Sequence, residues 1–235
     1  MSSTGGDPNF GETWVYESIV GALPGVSISP RLAVVVQFVG FEFAVLALAW
    51  IYDLPQGAVA GTIAVAVAAA GSAAMLDLGG RVRALDAPEP YRRLLFGSSV
   101  EVVLGLLAYV GLLTYLFAFD PRDGTTLLGD LLGPEPPLAV TYLLLLISWD
   151  VCYRIGTGWW AAVAALYRSV AFEFDAGTAI AFRRLDLRNA AFALVQLALL
   201  PLLRGHPILA AAVGGHVLAV WAVLGASLLY GRASP

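Results

Sequence analysis

The sequence predicts an all-α polytopic membrane protein with six transmembrane helices, and three observations carry that prediction. Hydrophobic residues make up 59% of the 235 positions and charged residues only 13%, with a mean hydropathy of +0.80. A soluble domain has roughly half its residues apolar and about a quarter charged. The apolar residues fall into runs close to the ~20 residues that cross a bilayer core. The charges collect between those runs, and the positive ones collect unevenly. All 13 basic side chains are arginine, set against 17 acids for a net charge of −4.

Residues 1–30 read as a cytoplasmic N-terminal segment and residues 31–235 as a single transmembrane domain. The segment has no positive residue before Arg31, which is not the pattern of a secretory signal. Within residues 10–23, Phe10, Trp14, Ile19 and Leu23 recur at helical spacing beside Glu12 and Glu17. That pattern predicts a short amphipathic helix capping the bundle, since its acids are repelled by anionic lipid. Ser29 and Pro30 then form an N-cap followed by a first-turn proline, the start of the first span.

The first span is expected at 32–52 and carries Gln37 and Glu42. The second, at 57–76, has Gly57, Gly61, Ala64, Ala68 and Gly71 in a small-residue stripe, which places it centrally and close to its neighbours. The third, at 94–119, holds Glu101 near its start. A fourth opens at Leu138 and stays apolar to Phe172, about 35 residues or roughly 52 Å as one helix, well beyond a ~30 Å core. It is expected to be long, either continuous or bent at Gly156-Thr157-Gly158. Residues 169–189 read as a connection rich in arginine, the fifth span as 190–203 with Gln196, and the sixth as 208–230 with His216.

Orientation follows from the arginines, because cytoplasmic loops hold the excess of positive residues. Arg81, Arg83, Arg92 and Arg93 follow the second span, and Arg183, Arg184 and Arg188 follow the fourth. Both termini are therefore expected in the cytoplasm.

Polar residues inside the spans mark where a site would lie. Asp150 and Arg154 are four apart, within salt-bridge reach on one helix face. Counted at ~1.5 Å per residue, Glu42, Glu101, Asp150, Gln37 and Gln196 fall in the inner half of the bilayer, with His216 near its middle. Arg154 can satisfy one of the three carboxylates, so the other two must be protonated, hydrated or bound to a cation. Ionisable groups at this depth mark cavities and pathways by default, yet they also serve as plain helix-locking pairs. The first reading predicts a small permease or ion-coupled carrier with a cytoplasm-facing polar cavity. There the acids take a proton or cation, and Arg154 orients Asp150 or binds an anion. The second predicts a non-transporting scaffold or assembly protein. A third, an intramembrane enzyme of lipid metabolism, has no complete catalytic set.

Other chemistries are excluded by what is missing. Without lysine there is no attachment point for retinal. Asp120-Pro-Arg-Asp-Gly opens like the motif of CDP-alcohol phosphotransferases, but Leu127 and Leu128 replace its next residues and the later acids are absent. Gly97-Ser98-Ser99-Val100 lacks the final glycine that a rhomboid serine requires. Cys152 is the single cysteine and the histidines number two, so no metal site and no cofactor is expected. The expected partners are the lipid bilayer and a proton, cation or small solute, with no nucleic acid and no basis for an oligomeric state.

The run Trp149-Asp-Val-Cys-Tyr-Arg-Ile-Gly-Thr-Gly-Trp-Trp, together with Tyr91-Arg-Arg-Leu-Leu-Phe-Gly-Ser-Ser-Val-Glu, resembles an uncharacterised family of six-span integral membrane proteins of halophilic archaea. The resemblance extends over nearly the whole chain. It implies a multi-pass protein of the cell membrane and supplies no activity. Acidic loops have a physical sense there, because high salt screens their mutual repulsion.

Overall fold

Ser29 and Pro30 open the first membrane-crossing helix as their chemistry dictates. The Ser29 hydroxyl accepts the Leu32 N–H at 3.3 Å, and Pro30 sits in the first turn, where its missing N–H costs nothing. In the computed structural model, which describes residues 13–15, 17, 29–85, 87–122, 124 and 126–230, this helix (α1) runs Pro30–Ile51. Further helices among the described residues are α2 (Pro55–Ala84), α3 (Glu89–Gly97), α4 (Val100–Thr114), α5 (Leu127–Leu132), α6 (Leu138–Ala171), α7 (Ala176–Val195) and α8 (Pro207–Tyr230). A π-helical turn at Tyr115–Phe119 and a 3₁₀ turn at Asp120–Arg122 continue α4, and a 3₁₀ helix at Gln196–Leu203 continues α7.

Six of the resulting helical stretches are long and apolar enough to cross a membrane: Arg31–Ile51, Pro55–Ala84, Glu89–Arg122, Leu138–Ala171, Ala176–Leu203 and Pro207–Tyr230. The chain is thus an all-α, six-span polytopic membrane protein. Its outer surface fits that medium, since Trp50, Leu138 and Leu229 are each at least 85% exposed. In water such side chains would form a large apolar patch; in hydrocarbon they are solvated.

Three boundaries differ from expectation, each for a local reason. Helix α2 continues past Leu76 to Ala84, so Arg81 and Arg83 ride on its last turns rather than in a loop. The third span is two helices, because Ser99 adopts φ 53°, a left-handed conformation that ends α3 and lets α4 restart at a new angle. The stretch 169–189 is mostly helix. Asp175 caps α7 by accepting the Gly177 and Thr178 N–H groups, so only residues 172–175 connect α6 to α7. The expected helix within residues 10–23 lies outside the described residues, apart from 13–15 and 17. Of these, Trp14 is fully buried and donates its indole N–H to the Met75 carbonyl at 3.1 Å.

Helix α6 is the axis of the bundle. It runs unbroken for 34 residues, through Gly156-Thr157-Gly158, and packs against α1, α2, α3, α4, α7 and α8. Its glycines make that possible. A Cβ on Gly156 would collide with the backbone of Gly105 and lie 2.7 Å from the Glu101 carbonyl oxygen, so α4 and α6 touch main chain to main chain. The expected small-residue stripe of α2 is used in the same way. Gly61 receives Val45 of α1, and Gly71 receives Arg154 and Phe192.

Candidate functional site

Helix α6 turns Ile147, Asp150, Val151 and Arg154 toward α1 and α2, where Phe38, Phe41, Val65 and Ala68 pack around them. Arg154 is 1% exposed, and its Nη2 donates to Asp150 Oδ1 at 2.8 Å. The other Asp150 oxygen accepts from Gln37 Nε2, also at 2.8 Å, so α1 closes the pair from outside. Arg154 Nη1 points to the Met75 sulfur at 3.6 Å, and the guanidinium lies 5.2 Å from the Tyr153 ring centroid. Gly71 has no side chain where the base of Arg154 passes, since a Cβ there would sit 2.8 Å from Arg154 Cβ. The cluster joins three of the residues singled out in the sequence.

The remaining candidates occupy other interfaces. Glu42 accepts from the Thr62 hydroxyl at 2.7 Å, joining α1 to α2. Its second oxygen has no hydrogen-bond partner among the described residues. Glu101 is fully buried at the start of α4, with the backbone of Val15 turned toward it and no hydrogen bond of normal geometry to either carboxylate oxygen among the described residues. Gln196 and His216 pair with each other at 2.8 Å, and the His216 ring lies 5.9 Å from that of Trp159.

Two narrow crevices reach the Asp150–Arg154 pair. One, of about 10 Å³, lies between α1, α2 and α6 and is lined by Gln37, Phe38, Phe41 and Asp150. The other, of about 20 Å³, approaches Arg154 from the α7 side past Met75, Arg188 and Asn189. Each has room for about one water molecule.

A family model described as a family of unknown function, DUF7530, matches residues 9–227. The chain belongs to the DUF7530 family. No curated protein and no solved structure matches it. The matched region takes in every polar residue named above.

Two further polar clusters of this DUF7530 chain were not visible in the sequence. Arg168, at the end of α6, donates to Asp186 of α7 at 2.7 Å and to the Tyr91 hydroxyl at 3.2 Å, and its guanidinium stacks 4.2 Å from the Phe182 ring centroid. Ser227 of α8 adds a bond to Asp186 at 3.3 Å. At the opposite end, His206 lies between Asp120 and Asp130. Charged residues flanking the spans read as solvated loop groups, and nothing in their spacing reveals that partners from distant segments bury them. Among the described residues, no group of three or more histidines, cysteines or acids is arranged to hold a metal ion.

Proposed function

We propose that this protein is a membrane-embedded scaffold of the cell membrane whose intramembrane polar groups fasten helices together rather than conduct a solute. The observation that carries the reading is their distribution. Gln37–Asp150 joins α1 to α6, Thr62–Glu42 joins α1 to α2, Asn189 donates to the Gly158 carbonyl between α7 and α6, and Gln196–His216 joins the fifth span to the sixth. Each polar group serves a different helix–helix seam, which is how membrane bundles use such residues. Crevices of about 10 and 20 Å³ leave no room for anything larger than water. The arginine-rich end faces the cytoplasm on this reading, by the positive-inside rule. The lack of lysine and the acidic loops suit a halophile, where salt screens surface charge.

A second reading, a small permease or ion-coupled carrier, is supported by the same two crevices. They reach the pair from different sides, so the ion pair stands as the partition between them. Reconstitution into liposomes with an enclosed pH dye decides between the two. The scaffold reading expects proton and alkali-cation flux no higher than in protein-free vesicles. Flux that Asp150→Asn abolishes would overturn it in favour of the carrier.

A further inference from the structure

A roomy cavity lies away from the Asp150–Arg154 pair, at the arginine-rich end, in the groove between the last turns of α2 and the N-terminal half of α7. Its volume is about 230 Å³, and its walls are Arg81 and Ala84 from α2, Leu85 just after it, and Ala181, Arg184, Leu185 and Arg188 from α7. The spacing explains the groove. Residues 181, 184, 185 and 188 form one stripe of a helix at i, i+3, i+4 and i+7, and it faces the stripe of 77, 81 and 84 on α2. Small and apolar residues make the floor, and three guanidinium groups make the rim.

One carboxylate organises that rim. Asp77 accepts from Arg81 Nε at 2.7 Å with one oxygen and from Arg188 Nη1 at 2.6 Å with the other. Among the described residues, each of these arginines spends one nitrogen on Asp77 and keeps the rest of its donors. Arg184 makes no hydrogen bond or ion pair among the described residues. Three positive charges against one negative leave the pocket a net charge of +2 from these four residues. Forked guanidinium donors converging on one concave site match the oxygens of a phosphate group.

The surroundings indicate what carries the phosphate. Ile180, Arg184 and Leu187 follow one another at i, i+4 and i+7, and both apolar members stay about half exposed beside the cavity mouth. The charged pocket therefore adjoins an uncovered apolar strip at the level where the membrane span ends. We propose that this pocket binds the phosphate of an anionic membrane phospholipid, with the acyl chains lying over Ile180 and Leu187. The inference does not rest on the scaffold or the carrier reading, although Arg188 also lines the crevice that approaches Arg154.

Native mass spectrometry of the full-length detergent-solubilised protein, titrated with phosphatidylglycerol at one fixed salt concentration, tests it. Arg184→Gln should weaken binding about tenfold, the effect of losing roughly one charge-assisted contact. Its melting temperature without lipid should be unchanged, because Arg184 holds no partner among the described residues. Arg93→Gln, which removes an exposed arginine paired with Glu89 away from the pocket, should leave binding intact. Equal loss in both variants, or no loss in Arg184→Gln, overturns the proposal. Inorganic phosphate at millimolar concentration should not displace the lipid. Tight phosphate binding that Arg184→Gln removes, without preference for the lipid, would assign the pocket to a soluble phosphate and overturn the lipid as its source.

Discussion

His206 Nδ1 lies 2.9 Å from Asp120 Oδ1, though 86 positions separate the two residues. Asp120 is almost completely buried, and its other oxygen accepts the Leu127 N–H at 2.6 Å. At the end of the π-helical turn Tyr115–Phe119 the Asp120 N–H donates to the Tyr115 carbonyl, and the Tyr115 hydroxyl approaches the same histidine nitrogen at 3.3 Å. Asp130 contacts the other ring nitrogen at 3.2 Å. One imidazole thus ties the end of the third span, and Asp130 beyond it, to the turn between the fifth and sixth.

His206→Ala should therefore destabilise the protein by about 1–3 kcal/mol, because a buried carboxylate oxygen loses its partner. Unfolding in a denaturing-detergent titration measures it. His206→Gln, which can still donate to Asp120, should recover part of the loss.

The Asp150–Arg154 pair calls for a thermodynamic cycle. Asp150→Asn should cost about 3–5 kcal/mol, since it leaves a desolvated guanidinium without its counter-charge. Adding Arg154→Leu should restore most of that stability, because apolar replacement of a whole buried pair is often tolerated. The same double variant distinguishes the functional readings: a carrier keeps the fold and loses flux, whereas a scaffold has no flux to lose.

Glycine positions should divide sharply by what surrounds them. Gly156→Ala should destabilise by at least ~1–3 kcal/mol, since the added methyl meets the backbone of α4 and neither helix can yield by rotating a side chain. Gly61→Leu should also destabilise, by overpacking against Val45. Gly214→Ala, with nothing within 4 Å, should be neutral or slightly stabilising. Melting temperatures in a common detergent rank the three.

Acid should loosen the start of α7 first. Hydrogen bonds from Thr178, its side chain foremost, hold the Asp175 carboxyl below the usual carboxylate range. A depressed native value means that the cap stabilises the helix above the unfolded value of about 3.9 and is lost as pH falls through the lower native one. Amide exchange at Gly177 and Thr178 should therefore rise below about pH 4 beyond the intrinsic rate, and Asp175→Ala should remove that pH dependence.

The sequence revealed most where the deciding groups are neighbours along the chain. Ser29 with Pro30, and Asp150 with Arg154 one helical turn on, each carry their geometry in a spacing of a few residues. The six spans were legible for the same reason, because crossing a bilayer demands length and apolarity within each run. Gln37 joining Asp150 depends on helix rotation, which no single run encodes. The Ser99 break and the early start of α7 were hidden because serines and arginines suit helix flanks and loops equally well. Arg168–Asp186 and His206–Asp120 join residues from separate elements, so only the assembled bundle brings them together.

The main-chain contact between Gly105 and Gly156 has a mechanical consequence. Two helices separated by side chains can slide or rock by changing rotamers, but two backbones in contact have no such freedom. Helix α4 and the part of α6 beside it should therefore move as one strut. Rocking of the bundle has to take place around that strut, at seams filled by side chains. The α1 seam is one of these: Val45 packs into Gly61 there, and Gln37 holds Asp150 as the latch.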